Sequence, residues 1–299
     1  MDGVLVVDKP EGWTSFDVVV RIRFLSGERR VGHAGSLDPW AQGIIVVCVG
    51  WATRMVRFIQ ELEKVYIAEV ALGRATDTDD ATGTVVSTAE LPNLDSDRLA
   101  AVMEAFTGEI EQVPPTYSAL KHKGERLYRL ARQGRPVIKG PRKITIYSLR
   151  LLDSGADSFR FEVRCSKGTY IRALARDMGR WLGCGAHLRW LRRTSIGPFN
   201  EECSVALGNL SSREDVAREL RPWCEGVAHL PSVRVGSEDL RRLQHGVPVA
   251  LSGVSVHPDG TDVRVEDVSG RVVGVARMRV EGEHVTLVHP RLLRRGEDR

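Results

Sequence analysis

The stretch GHAGSLDPWAQGIIVVCVG, Gly32 to Gly50, sets a single carboxylate, Asp38, between a glycine-rich turn and an apolar run. Ile44 to Val49 is continuous and apolar over a strand's length, so it predicts a buried strand. Leu37-Asp38-Pro39 reads first as a turn, because Asp caps nearby amides and Pro fixes φ. Gly32, Gly35 and Gly43 surround it at places where backbone can come close to a ligand, and His33 lies five residues before the Asp. The partner sets of other chemistries are missing nearby: no placed serine nucleophile, no Gly-Lys-Ser/Thr of a phosphate loop and no dinucleotide-binding glycine spacing. On these residues alone, Asp38 can serve the turn or a substrate.

Outward from this stretch the early chain alternates strand and helix. GVLVVDK, from Gly3, predicts a buried strand that ends at the turn Pro10-Glu11-Gly12. Thr14 and Ser15 are good N-cap residues, and Phe16, Val19, Val20 and Arg23 follow at helical spacing. Trp51 to Glu63 carries Met55, Phe58, Ile59 and Leu62 near helical period, and VYIAEVALG from Val65 predicts a strand. Between Asp157 and Ser166 the alternation is strict, with Phe159, Phe161, Val163 and Cys165 facing one way, which predicts a half-buried strand. GTYIRALARDMGRWLG is expected to start extended at Gly168 and become a helix ending at Gly183, so that Tyr170 and Arg172 project to the same side.

The segment 114–142 is bounded by prolines, very basic and carries Tyr117 and Tyr128. Its centre predicts a short helix with Leu127, Leu130 and Ala131 inward, on an excursion from the core suited to gripping a nucleic acid. Near Leu230 the composition changes. The valine-rich stretch Thr261 to Pro290, with turns at Ser269-Gly270 and Glu281-Gly282, predicts three short antiparallel strands. The expected organisation is a first domain over 1–229, a small β domain over 230–293 and a tail over 294–299.

The composition is that of an ordinary soluble globular chain: 299 residues, 42% hydrophobic and 27% charged. Val4 to Val7 is too short for a signal peptide, and no run approaches the ~18 to 20 apolar residues of a bilayer span. The five cysteines are dispersed, with no CxxC pair and no zinc-finger histidine spacing, so reduced structural thiols and no metal are expected, in the cytoplasm. The net charge of +4 conceals strong segregation. Lys121 to Lys143 holds nine Lys or Arg and one acid, Arg164 to Arg193 eight and one, and Asp77 to Glu111 nine acids and one Arg. Such gathering of basic charge is the electrostatic footprint of a phosphate-backbone binder.

GHAGSLDPWAQG resembles the signature of the TruB-type tRNA pseudouridine synthases, and the likeness continues in register. It runs through DKPEGWTSFD, KVYIAEVALG, TDTDDATG, PPTYSALKHKGERLYRLARQG, CSKGTYIRALARDMG and AHLRWLRR, covering most of residues 3 to 199. Ser36 and Trp40 depart from the usual pattern, where Thr or Ala and Leu are more frequent; neither is expected to touch the Asp. The resemblance implies an α+β fold: a catalytic domain on a mixed, mainly antiparallel sheet, followed by a small RNA-binding domain of the PUA type. It implies that Asp38 is the carboxylate nucleophile that isomerises the uridine at position 55, in the T arm of tRNA, attacking the ribose C1′ or the uracil ring without metal or cofactor. Arg172 is the candidate cation that keeps a buried Asp38 ionised. By the same resemblance, Tyr66 stacks on the flipped base and could accept the C5 proton. Tyr170 lines the pocket, His33 fills the place the base has left, and Leu191 closes the apolar side. Lys9 is expected to support the pocket, Gly168 and Thr169 to set the backbone for Tyr170, and the basic segment to clamp the RNA arm. The partner is therefore tRNA, bound by a monomer with no membrane association and no small-molecule cofactor. An RNA-folding chaperone and the catalytic subunit of a guide-RNA ribonucleoprotein are the alternatives. The basic excursion after Pro114 argues against the second.

Overall fold

A computed structural model of the chain describes residues 1–252, 254–282 and 284–292, so the expected tail over 294–299 lies outside the described residues. The larger part is built on a ten-stranded sheet. Its main path runs Val205–Ala206, Gly3–Lys9, Gln42–Val49, Ala186–Ile196, Lys64–Leu72, Ser158–Cys165, Arg142–Ser154, Gly108–Gln112, and off it Val31–His33 pairs with Gln42–Val49 and Phe199–Asn200 with Ala186–Ile196. Two pairings along this path are parallel, Gly3–Lys9 with Val205–Ala206 and Gln42–Val49 with Ala186–Ile196; the rest are antiparallel. The sheet is mixed and mainly antiparallel, as the resemblance implies, and the whole is an α+β fold.

Gln42–Val49 sits at the hinge of this arrangement. Every residue from Ile44 to Val49 is fully buried, because the run is covered on both faces. One face packs with Val4, Val6, Trp51 and Phe58, the other with Leu5, Val7, Val18 and Ile22. Gly43 opens this strand at φ 102°, where a Cβ would lie 2.2 Å from the Arg193 carbonyl oxygen of the neighbouring strand. No other residue fits there, and the close approach sets Arg193 directly beside the Asp38 loop.

The helix Ser15–Ser26 begins at the Thr14 cap, with a reciprocal capping box to Asp17, and ends on Gly27 at φ 70°. The helix expected from the spacing is present, and packing decides which of its faces is buried. Val18, Val19, Ile22 and Leu25 point into the core, while Phe16 and Val20 are exposed, 63% and 45%. The periodicity fits both stripes, and packing against the sheet selects the aliphatic one. Trp51 to Glu63 is a 3-10 turn over Gly50–Met55 continued by a helix over Val56–Glu61, rather than one helix. The helix Ile171–Leu182 starts at Ile171, so Arg172 lies in its first turn and not on an extended strand alternating with Tyr170. Gly183, at φ 80°, ends it.

A second, five-stranded sheet holds Ser232–Arg234, Asp262–Glu266, Val272–Glu281, His284–Leu292 and Val249–Leu251, in that order. It has its own core around Val263, Val265, Met278 and Leu287. Val275 leaves that core and packs with Trp51, Phe58 and Trp223 of the larger part. Among the described residues, no helix is long and apolar enough to cross a membrane.

Candidate active site

An open cleft of about 1980 Å³ lies over the middle of the large sheet. That is roughly twice the upper range of a small-molecule pocket, so the cleft suits a macromolecular ligand. Ten Lys or Arg and five Asp or Glu line it, which makes its interior favourable to an anion. One wall is the segment 114–142. Here Lys121–His122 and Glu125–Arg126 form a hairpin, and the helix Leu127–Arg132 buries Leu127, Leu130 and Ala131, leaving Tyr128, Arg129 and Arg132 on the cleft.

The Asp38 loop is held at each successive residue. Arg193, 1% exposed, donates from Nε to the Ile44 carbonyl at 2.6 Å, from Nη1 to Ser36 at 3.3 Å and from Nη2 to Gly35 at 3.2 Å. The Ser15 hydroxyl donates to the Leu37 carbonyl at 3.1 Å and accepts the Leu37 N–H at 2.8 Å. The Asp38 carbonyl accepts the Ala41 N–H at 3.1 Å, closing the turn. Lys9, fully buried, donates from Nζ to Pro10 (3.0 Å), Trp13 (2.7 Å) and Pro39 (3.1 Å) carbonyls. Lys9 is thus a structural strut, and burial beside Arg193 brings its pKa down to about 8. The rigidity this produces matters, because a nucleophile is useful only where its geometry is fixed before the substrate arrives.

Asp38 faces the cleft with 35% of its side chain open, and Arg172 grips it from behind. Arg172 Nε lies 2.9 Å from Oδ2, and Nη2 donates to Oδ1 at 3.2 Å. The same guanidinium reaches Asp80 Oδ2 at 3.4 Å and the carbonyls of Thr78 (3.1 Å) and Tyr117 (2.9 Å). Burial pushes the Asp38 carboxyl above its ordinary range, Arg172 opposes this, and Asp80 adds to it. One buried cation therefore serves two carboxylates and also ties the start of the basic wall to the carboxylate it would help to close over.

The other expected residues meet at the same place. Tyr66 is the cross-strand neighbour of Arg193, its ring centroid 6.0 Å from that guanidinium, and burial raises its pKa. Leu191 is buried, pairs with Ala68 and lines the cleft beside Tyr66. His33 lines it too; its Nδ1 accepts the Gly35 N–H at 3.3 Å, and burial near Arg193 lowers its pKa. Tyr170 sits under the Arg142 guanidinium at 4.8 Å, while Gln112 bonds both its N–H and its carbonyl. Gly168, at φ 80°, and Thr169, bonded to the Ser166 carbonyl at 3.0 Å, shape the backbone before it.

Sequence reasoning missed Arg193, Asp80 and the Tyr117 carbonyl. Arg193 and Asp80 stand inside quoted motifs, yet the contacts that matter cross 158 and 92 residues of chain. It also understated Trp40. Its indole N–H donates to Asp80 Oδ2 at 3.2 Å, the same oxygen that faces Arg172. Trp40→Phe removes that donor and keeps the ring, so Asp80 draws harder on Arg172 and Asp38 loses part of its counter-charge. The expected result is a rate about threefold to tenfold lower near neutral pH, with the acid limb of the pH–rate profile displaced to higher pH. A profile superposable on wild type would remove Trp40 from the network.

A model of the TruB family pseudouridylate synthase N-terminal domain matches residues 23–171, and one of the tRNA pseudouridylate synthase B C-terminal domain matches residues 172–223. The chain is 46% identical over 248 residues to the tRNA pseudouridine synthase B of Chromohalobacter salexigens, spanning 82% of this chain and 81% of that one. It is 43% identical over 287 residues to the tRNA pseudouridine synthase B of Thermobifida fusca, spanning 93% and 95%. Among solved structures, a chain of a Cbf5-Nop10-Gar1 complex superposes with a TM-score of 0.76 at 27% identity, over 98% of this chain and 84% of that chain. A chain of an H/ACA RNP bound to a substrate RNA containing 2′-deoxyuridine gives 0.73 at 26%, with the same coverage.

Proposed function

The chain belongs to the TruB family of tRNA pseudouridine synthases, and from that premise we propose that Asp38 is the nucleophile with which it converts uridine 55 of the tRNA T arm to pseudouridine. The observation that carries the assignment is the rigidly held Asp38 carboxylate, ion-paired to buried Arg172 at 2.9 Å and open to a basic cleft. The uridine leaves the stack to reach it, at a cost of a few kcal/mol, which the cleft's cationic contacts with the arm offset. Asp38 adds to the flipped nucleoside, the N1–C1′ bond breaks, the C1′–C5 bond forms, and the bond to Asp38 breaks to return the free carboxylate. The proton leaves C5 and N1 gains one, so atoms and charge balance with no redox change and no cofactor.

Tyr66 stacks against the flipped ring, Leu191 and Tyr170 bound the pocket, and His33 occupies the vacated place in the arm. Because burial raises the Tyr66 pKa, its phenol is protonated at rest, and we assign it to stacking rather than to accepting the C5 proton. The wall over 114–142 clamps the arm through Tyr128, Arg129 and Arg132. We take residues 1–229 as the catalytic unit and 230–293 as the RNA-binding one, in a monomer acting in the reducing cytoplasm. The five free cysteines are in keeping with that compartment.

Release of tritium from a tRNA transcript labelled at uridine C5 tests the reading. The purified chain, without any guide RNA, is expected to release the label of one uridine per tRNA, and none beyond background when position 55 is changed to cytidine. Equal release from both transcripts would overturn the position assignment.

A further inference from the structure

The helix Val56–Glu61 has different company at its two ends. Gln60 and Glu61 line the cleft, whereas Arg57, four residues and about 6 Å of helix earlier, reaches across to the C-terminal sheet. There its Nη2 donates to Asp262 Oδ1 at 3.1 Å. Arg277 takes the same carboxylate in a fork, Nε to Oδ1 at 3.2 Å and Nη2 to Oδ2 at 3.1 Å. Arg54 lies one turn before Arg57, and Arg291 lies on the strand beside Arg277. Burial, and after it the nearby Arg57, Arg54 and Arg277 with Asp262 opposing them, pull the Arg291 pKa below its ordinary value. Among the described residues, neither Arg54 nor Arg291 has an ion-pair partner.

An ion pair between the two units needs one arginine and one aspartate. Arg57 and Arg277 hold the Asp262 carboxylate between them, and with Arg54 and Arg291 nearby the positive charge here exceeds the negative, a surplus that a further anion would offset. Arg57 and Arg277 are each 42% exposed, so the group opens to solvent instead of being sealed in the seam. The planar forks match phosphate oxygens in particular. We propose that Arg54, Arg57, Arg277 and Arg291 form a phosphate site, shared by the catalytic unit and the C-terminal sheet, for the backbone of the tRNA whose arm lies in the cleft. The proposal rests on the reading of the cleft as a tRNA site. It gives the C-terminal sheet a specific part in substrate binding, and makes the docking of the two units one side of an RNA interface.

Arg54→Gln with Arg291→Gln in the full chain tests it, since Arg57 and Arg277 then still hold Asp262. The dissociation constant for whole tRNA is measured by fluorescence anisotropy over a series of KCl concentrations. The double variant is expected to bind about tenfold more weakly near 0.1 M salt. Its log–log salt slope should be shallower by roughly one to two, because each phosphate contact contributes about 0.7 to 0.9. The pair Arg54→Lys with Arg291→Lys, which keeps the charge, should retain the wild-type slope. Turnover at saturating tRNA should be unchanged and KM raised. Wild-type affinity and slope in the Gln variant would overturn the proposal, and so would weaker binding with an unaltered slope, which marks a structural role. Failure of the wild-type chain itself to bind or modify tRNA would overturn the reading of the cleft as well, and is told apart by that control.

Discussion

Asp38→Asn is expected to slow pseudouridine formation at least about 10⁴-fold, the order of loss that follows removal of a nucleophile or its essential partner. Affinity for tRNA should stay at the wild-type level. The substitution is isosteric, so the loop built by Ser15, Lys9 and Arg193 is kept, and Arg172 retains Asp80 and the carbonyls of Thr78 and Tyr117. What disappears is the electron pair that attacks. The same carboxylate sets two pH effects. Its raised pKa means that the folded chain binds this proton more tightly than the unfolded chain does. Activity, which needs the ionised form, should therefore fall as pH drops through a value above that of a free aspartate. Above that value the ionised carboxylate lowers stability, so Asp38→Asn should melt no lower than wild type at pH 7. Substantial residual turnover in the variant, measured by tritium release under single-turnover conditions, would remove Asp38 from the role of nucleophile.

Arg193→Met carries the largest expected loss of stability. The side chain is 1% exposed and supplies the donors for the Gly35, Ser36 and Ile44 carbonyls, with no carboxylate partner among the described residues. Methionine fills much of the volume but leaves three carbonyls short of donors, at about 1 kcal/mol or more each. The expected cost is about 3 kcal/mol, or roughly 6 to 12 °C in Tm for a unit of this size. Where the protein is still folded, turnover should fall about 100-fold, the order expected when a catalytic group is displaced by about 1 Å. Arg193→Lys should fall between wild type and Met, since one ammonium cannot reach all three carbonyls. A Met variant with the wild-type Tm would mean that the Asp38 loop is held mainly by Ser15 and Lys9.

How much of this was legible beforehand can be judged from the same residues. The buried strand Ile44 to Val49 and the turn at Asp38 followed from local composition, and both are present. Residue pattern alone could not separate Asp38 as a turn residue from Asp38 as a reactive group. The structure explains why, since the turn's own hydrogen bonds are what make the carboxylate rigid. The resemblance brought Tyr66, Arg172 and Leu191 into the argument, and the structure gathers them around one cleft. Contacts set by strand register were beyond local reading. Arg193 meets Gly43 and Tyr66 only because a parallel pairing lies on one side of its strand and an antiparallel one on the other. Trp40 drew notice as a departure from the usual residue, but its bond to Asp80 depends on where the acidic turn folds back. Phe16 and Val20 show the same limit: helical spacing announced the helix, and which face is buried was decided by the sheet beneath.

The central claim is that this chain alone converts uridine 55 of tRNA, and that it does so through Asp38. The most direct measurement is a nucleotide-resolution map of pseudouridine in unmodified tRNA treated with the purified chain or with its Asp38→Asn variant. The account predicts one modified position, uridine 55, at full occupancy with the wild-type chain and unmodified with the variant. No pseudouridine with the wild-type chain, or the same map from both proteins, would contradict it.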